Sequence, residues 1–186
     1  MQKGLPEDWK ISAHNHHESG PASFLVENLA LLPRGRALDV AMGSGRNAIY
    51  LAQNGFLVEG IDVSPELVDE ARARAGEAGV SVSARVEDLE RIPFIEEEIY
   101  DLVICFNYLQ RSLIPQLKNW MKPGGMVVYE TFTIDQPRYG KPHNPDYLLK
   151  PNELLHWFME FYVMRYREGI IDNSRAVAGI IARKLA

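Results

Sequence analysis

The 186 residues include a single cysteine, Cys105, so no internal disulfide can form and packing alone must hold the chain. No uncharged apolar run reaches the roughly 18 residues that a membrane span needs, and a membrane partner is not expected. No charged-then-apolar leader opens the chain, which together with the lone thiol leads us to expect the reducing cytoplasm. Basic residues are the minority: 20 Lys and Arg stand against 25 Asp and Glu, for a formal net charge of -5. Binding to a phosphate backbone needs clustered cations that displace counterions, so nucleic acid is not an expected partner and a small-molecule substrate is. Internal repeats and low-complexity segments are also lacking. What remains is 46% apolar and 24% charged residues, the balance of an ordinary globular protein. The length suits one domain over residues 1–186, as a monomer or homodimer, and leaves no room for two domains of usual size.

The first 20 residues are polar and carry Trp9, His14, His16 and His17. Pro21 to Leu32 reads as an amphipathic helix with Phe24, Leu25, Leu29 and Leu32 on one face, ended by Pro33 and Gly35. Strand and helix then alternate, as in a parallel sheet covered on both faces. Strands are expected over Ala37–Ala41, Phe56–Ile61, Val80–Val86, Asp101–Phe106 and Met126–Phe132, with Pro123-Gly124-Gly125 turning the chain into the last. Helices are expected from Arg46 to Asn54 and from Ser64-Pro65-Glu66, a cap residue followed by proline, to about Gly76. Phe161–Ile171 and Ala176–Lys184 flank Asp172-Asn173-Ser174 and read as a closing antiparallel hairpin. Trp157, Phe158, Phe161 and Tyr162 have the spacing of a packed helical face.

Asp39-Val40-Ala41-Met42-Gly43-Ser44-Gly45 lies where the first strand meets the first helix. Glycine there lets a ligand approach the backbone and tolerates positive φ, and the helix start offers free N–H groups. Asp62 follows Gly45 by 17 residues at the end of the next strand, where a carboxylate can accept the hydroxyls of a ribose. Together they point to an adenosine cofactor. Gly43 to Ala48 also fits the dinucleotide fingerprint G-x-G-x-x-A, which keeps a nicotinamide or flavin oxidoreductase as an alternative. Asp39 argues against it, because a carboxylate at the strand tip repels a pyrophosphate but suits the ammonium and sulfonium charges of S-adenosylmethionine. A noncatalytic module that binds this cofactor is the third reading.

These residues resemble the class I S-adenosylmethionine-dependent methyltransferases. The resemblance rests on the 39–45 loop, Asp62, Glu87-Asp88 after the third strand, Tyr100-Asp101-Leu102-Val103, the Lys122-Pro123-Gly124-Gly125 turn and the final hairpin. Within the class, Gly43-Ser44-Gly45-Arg46-Asn47, Pro151-Asn152-Glu153-Leu154 and Ile180-Ile181-Ala182-Arg183-Lys184 are similar to the tellurite-resistance methyltransferase group. The resemblance implies a doubly wound, mostly parallel seven-stranded α/β sheet with a C-terminal antiparallel hairpin. It also implies site roles: Asp39, Gly43 and Gly45 around the methionine part and Asp62 at the ribose, with Ala41, Arg46, Asn47, Val63 and Glu87 as further cofactor-binding residues. Asp88 with the backbone of Leu89 would meet the adenine, and Phe106 with Asn107 the reactive side. Ala41 departs from the family's glycine and narrows the loop.

For the acceptor, Tyr108 and Arg111 are the candidates just past the fourth strand. Arg111 is four residues beyond Asn107, so a helix would place both on one face, with the guanidinium a fork for a carboxylate or oxyanion. A surface salt bridge is the competing reading. Trp9 and His16 on the arm, and Tyr139 and His143 in a Pro- and Gly-rich loop over 136–151, are further acceptor-side candidates, the loop being long enough to serve as a lid. The three arm histidines lack matching Cys or carboxylate spacing, so no metal is expected. Cys105, inside an apolar strand, reads as a core thiol.

Overall fold

A computed structural model describes residues 20–91 and 97–185, so the arm residues Trp9, His14, His16 and His17 lie outside the described residues. The elements in chain order are α1 (Ser23–Asn28), β1 (Arg36–Val40), α2 (Arg46–Gln53), β2 (Leu57–Asp62), α3 (Pro65–Glu77) and β3 (Val82–Val86). They continue with β4 (Tyr100–Phe106), α4 (Ile114–Trp120), β5 (Met121–Phe132), α5 (Glu153–Trp157), β6 (Tyr162–Ile171) and β7 (Arg175–Arg183). The seven strands form one sheet in the order β3-β2-β1-β4-β5-β7-β6. Neighbours among the first five are parallel, and β7 is antiparallel to both β5 and β6. The order reverses between β1 and β4, which opens a crevice at their carboxyl ends where ligands of such sheets bind.

Each strand in the middle of the sheet is apolar on both faces because helices cover both. One face packs Leu38, Val40, Val103, Cys105, Val127 and Tyr129 under α4 and α5. The other packs Ala37, Leu102, Ile104, Phe106 and Val128 under α1 and α2. Among the described residues, no helix is long and apolar enough to cross a membrane.

Several boundaries differ from the sequence reading for local reasons. The helix expected over Pro21 to Leu32 is α1 followed by a 3-10 turn at Leu29–Leu31. Asn28 donates from Nδ2 to the Phe24 carbonyl at 2.9 Å, a side-chain bond that competes with continued helix. Val80 is not in β3: its N–H bonds the Ala75 carbonyl and finishes α3 instead. β5 starts at Met121, which pairs with Tyr100, before a register shift lets Met126 pair with Leu102. Gly124, at φ +79°, makes that bulge possible. Tyr162, expected in the aromatic core with Phe158 and Phe161, is 57% exposed because it opens the edge strand β6. Helix α4 is an element the sequence reading passed over, although Leu113, Ile114, Leu117 and Trp120 carry its period and Pro115 sits in its first turn.

Candidate active site

Asp39 is the penultimate residue of β1 and is 1% exposed. Among the described residues, its Oδ2 has no hydrogen-bond partner. Burial pushes its carboxyl up to about 8; the Arg46 charge and the Ala48 amide oppose that and Asp62 adds to it. A buried, unpartnered carboxylate oxygen beside a ligand crevice is costly unless something cationic completes it.

The loop that follows turns tightly through three left-handed residues: Ala41 at φ +55°, Gly43 at +56° and Gly45 at +79°. The two glycines do different work. A Cβ on Gly43 would meet no atom of the described residues within 4 Å, so among them its face is open. On Gly45 a Cβ would lie 2.9 Å from the Ala71 Cβ. The Cβ direction of Gly45 is therefore closed off by α3, while that of Gly43 is open among the described residues. Ala41 holds a conformation that usually selects glycine, which costs about 1–2 kcal/mol.

Asp62 is 5% exposed and already holds the loop. Its Oδ2 accepts the Gly43 N–H at 2.8 Å and its Oδ1 the Ser64 N–H at 3.0 Å. Each oxygen keeps a free lone pair, so a ribose hydroxyl can still be accepted. Val63 follows, half-buried. The Glu87 N–H bonds the Asp62 carbonyl at 2.9 Å, which brings the 87–91 turn alongside. In it Asp88 is exposed, its Oδ1 accepting the Glu90 N–H at 3.0 Å, and the Leu89 side chain is buried.

The side chains of Arg46 and Asn47 hold the segment that leads into α1. Arg46 donates from its guanidinium to the Gly20 carbonyl at 3.2 Å, and Asn47 Oδ1 accepts the Ala22 N–H at 2.9 Å. They dock the start of α1 at the mouth of the loop, with Arg46 close enough to act on Asp39.

Past β4, Phe106 is buried and Asn107 takes φ +56°, its N–H bonded to the Glu130 carbonyl. The helix assumed from Asn107 to Arg111 is therefore absent, and the shared face with it. Arg111 begins a 3-10 turn, Arg111–Leu113, and its guanidinium is not a free fork. Nε and one terminal nitrogen grip Glu153 at 2.7 and 3.0 Å, and the terminal nitrogens also donate to the carbonyls of Asp146 and Leu148 at 2.8 and 2.9 Å. The bonds to Glu153 raise the Arg111 pKa. Burial would raise that of Glu153, but bonds from Arg111 and the Lys150 amide outweigh it and hold the carboxyl below its usual range. Arg111 is thus a brace for the 136–151 loop, as the salt-bridge reading had it.

Tyr108 donates from its hydroxyl to Gln110 Oε1, and burial first, then the neighbouring Cys105, Glu90, Asp62 and Asp88, push its phenol above the usual range. It is a donor in this setting. The 136–151 loop is tied at its base by Ile134 and Leu149 backbone bonds and by Gln136, which is buried and joins Lys141 to Ala176. Tyr139 and His143 stand exposed on it, so no described contact brings them to the crevice. The roles of Gln110, Tyr129, Gln136 and Glu153 were missed in the sequence, because each has a partner 21 or more residues away.

The crevice fits S-adenosylmethionine on two observations: the orphaned Asp39 oxygen suits its cationic end, and the open side of Gly43 leaves space for it. Comparison with known proteins agrees. Residues 37–125 match the methyltransferase domain family. The ubiquinone biosynthesis O-methyltransferase of Hahella chejuensis is 30% identical over 162 residues, covering 76% of this chain and 68% of that protein. Its counterpart in Xanthomonas axonopodis pv. citri is 29% identical over 163 residues, with the same two shares of 76% and 68%; for the one in Xanthomonas campestris the chain spans 61% of the relative. TehB from Haemophilus influenzae has the same fold, with a TM-score of 0.75 at 19% identity over 95% of this chain and 67% of that one. A methyltransferase from Aquifex aeolicus gives 0.73 at 18% identity over 97% and 100%. The chain belongs to the class I S-adenosylmethionine-dependent methyltransferases.

Proposed function

We propose that the protein methylates a hydroxyl oxygen of a small aromatic acceptor. The cofactor half of this reading is carried by the buried, unpartnered Asp39 oxygen beside the open face of Gly43. Bound there, S-adenosylmethionine supplies a methyl group on a cationic sulfur. Asp39 balances its charge, Asp62 takes the ribose while bracing Gly43, and Asp88 with the Leu89 backbone faces the adenine. Phe106 and Asn107 wall the reactive side. The chain's main contribution is alignment in a water-poor cleft, an effect worth about 7–11 kcal/mol at best. The acceptor oxygen would gain the methyl as the methyl–sulfur bond breaks, leaving S-adenosylhomocysteine, and its proton would pass to solvent.

The oxygen acceptor is favoured over a tellurite-like anion by two supports. The relatives sharing 29–30% of their residues with this chain are named as O-methyltransferases. The anion fork on which an oxyanionic acceptor would depend, Arg111, is committed to Glu153 and two carbonyls. The test is methyl transfer from labelled S-adenosylmethionine to catechol and, separately, to tellurite. Labelled methoxyphenol supports the reading. Volatile labelled tellurium product, with catechol inert, replaces it with the soft-nucleophile reading.

A further inference from the structure

We infer that Gln110 is a positioning residue that couples the adenine side of the cleft to its methyl-transfer side; this rests on the placement of the adenine against Asp88 and Leu89. The Gln110 amide reaches two loops that share no strand or helix. Nε2 donates to the Leu89 carbonyl at 2.9 Å and to Ser112 Oγ at 3.2 Å, while Oε1 accepts the Tyr108 hydroxyl. Both amide hydrogens and the carbonyl are therefore engaged.

The two loops are built to move as units. On the adenine side, Asp88 closes a tight turn: its carboxylate accepts the Glu90 N–H at 3.0 Å and its carbonyl the Arg91 N–H at 3.0 Å. A ligand that fixes Asp88 thereby fixes the Leu89 carbonyl. On the other side, residues 107–109 make no helical hydrogen bonds among the described residues, and the Gln110 carbonyl accepts the Leu113 N–H at 3.1 Å where the 3-10 turn begins. They are held by the Asn107 N–H on Glu130, by the Tyr129 hydroxyl on the Tyr108 carbonyl at 2.8 Å, and by Gln110 itself. Of these, Gln110 is the tie that ends on the adenine turn. Asn107 adds the strain of a left-handed non-glycine residue, so this segment depends on its ties to keep its shape. Adenine binding is thus relayed through Leu89 and Gln110 to Tyr108 and Asn107, and the acceptor wall is set once the cofactor is in place.

The test uses adenosine, which carries the adenine and ribose but has nothing to touch Asn107, with amide hydrogen exchange as the readout. In the wild-type protein adenosine slows exchange at 87–91 and also at 107–112, the latter roughly fivefold, the scale of one net hydrogen bond. In Gln110→Ala, and in Gln110→Glu, whose carboxylate cannot donate to the Leu89 carbonyl, protection at 87–91 persists and protection at 107–112 disappears. A merely structural role would speed exchange in the free protein without changing what adenosine transmits. Equal protection of 107–112 in wild type and both variants overturns the coupling. If adenosine protects neither segment of the wild-type protein, the adenine placement falls and the coupling falls with it.

Discussion

Replacing Gly43 by alanine separates the cofactor crevice from the fold that frames it. Gly43 sits at φ +56°, nearly the angle at which Ala41 already carries a Cβ two residues earlier. Backbone strain for the new residue is therefore about 1–2 kcal/mol. In a domain of this size that lowers Tm by about 2–8 °C. No atom of the described residues lies within 4 Å of the added Cβ, so no clash with them adds to the strain. The methyl instead enters space we assign to the cofactor, where overpacking of about 1–3 kcal/mol would weaken S-adenosylhomocysteine binding roughly five- to a hundredfold. Gly45→Ala is the contrast: its Cβ meets Ala71 at 2.9 Å, so the main loss there is in Tm. Thermal unfolding with and without S-adenosylhomocysteine, plus calorimetric titration, reads both quantities. A Gly43→Ala protein that binds S-adenosylhomocysteine as tightly as wild type would refute the assignment of the open face.

Asp62→Ala should lower both Tm and cofactor affinity, because it removes two amide bonds as well as the ribose acceptor, at about 1.5–3 kcal/mol for each charge-assisted bond; calorimetry showing full affinity in a destabilised protein would confine Asp62 to bracing the loop. Asp39, with its carboxyl near 8 in the free protein, binds a proton that the unfolded chain has released above pH 3.8. The free protein should therefore lose stability as pH rises from about 4 through 8, while S-adenosylmethionine binding releases a proton and strengthens up to tenfold per pH unit below 8. Asp39→Asn should abolish that pH dependence, as calorimetry in buffers of different ionisation heat will show. Arg111→Lys keeps the charge but loses the fork, so limited proteolysis within 136–151 should accelerate while S-adenosylhomocysteine affinity holds; weakened cofactor binding would return Arg111 to the cleft.

The doubly wound order was legible because central strands buried on both faces read as short apolar runs, as in Leu102 to Cys105, bounded by turn residues. Ser64-Pro65 marked the start of α3 for an equally local reason: the Ser64 hydroxyl accepts the Leu67 N–H. Asp39, Gly43 and Asp62 could be singled out because a tight loop between strand and helix constrains residue type directly. The roles of their neighbours were not legible. Gly45 looks the same as Gly43 in sequence, and only the approach of Ala71 distinguishes them. Arg111 gave no hint of Glu153, 42 residues on, and a charged residue's partner leaves no periodic trace. The helix assumed after β4 failed because Asn107 turns left-handed at the strand end, where four-residue spacing no longer means a shared face.

The account stands most directly on one assay: the protein incubated with methyl-labelled S-adenosylmethionine and a cell extract, with the labelled species then separated by size and identified. The prediction is label in a small aromatic methyl ether, formed one for one with S-adenosylhomocysteine and reduced in Gly43→Ala at subsaturating cofactor. Cofactor that binds but yields no labelled product, or label found only in protein or nucleic acid, would contradict it.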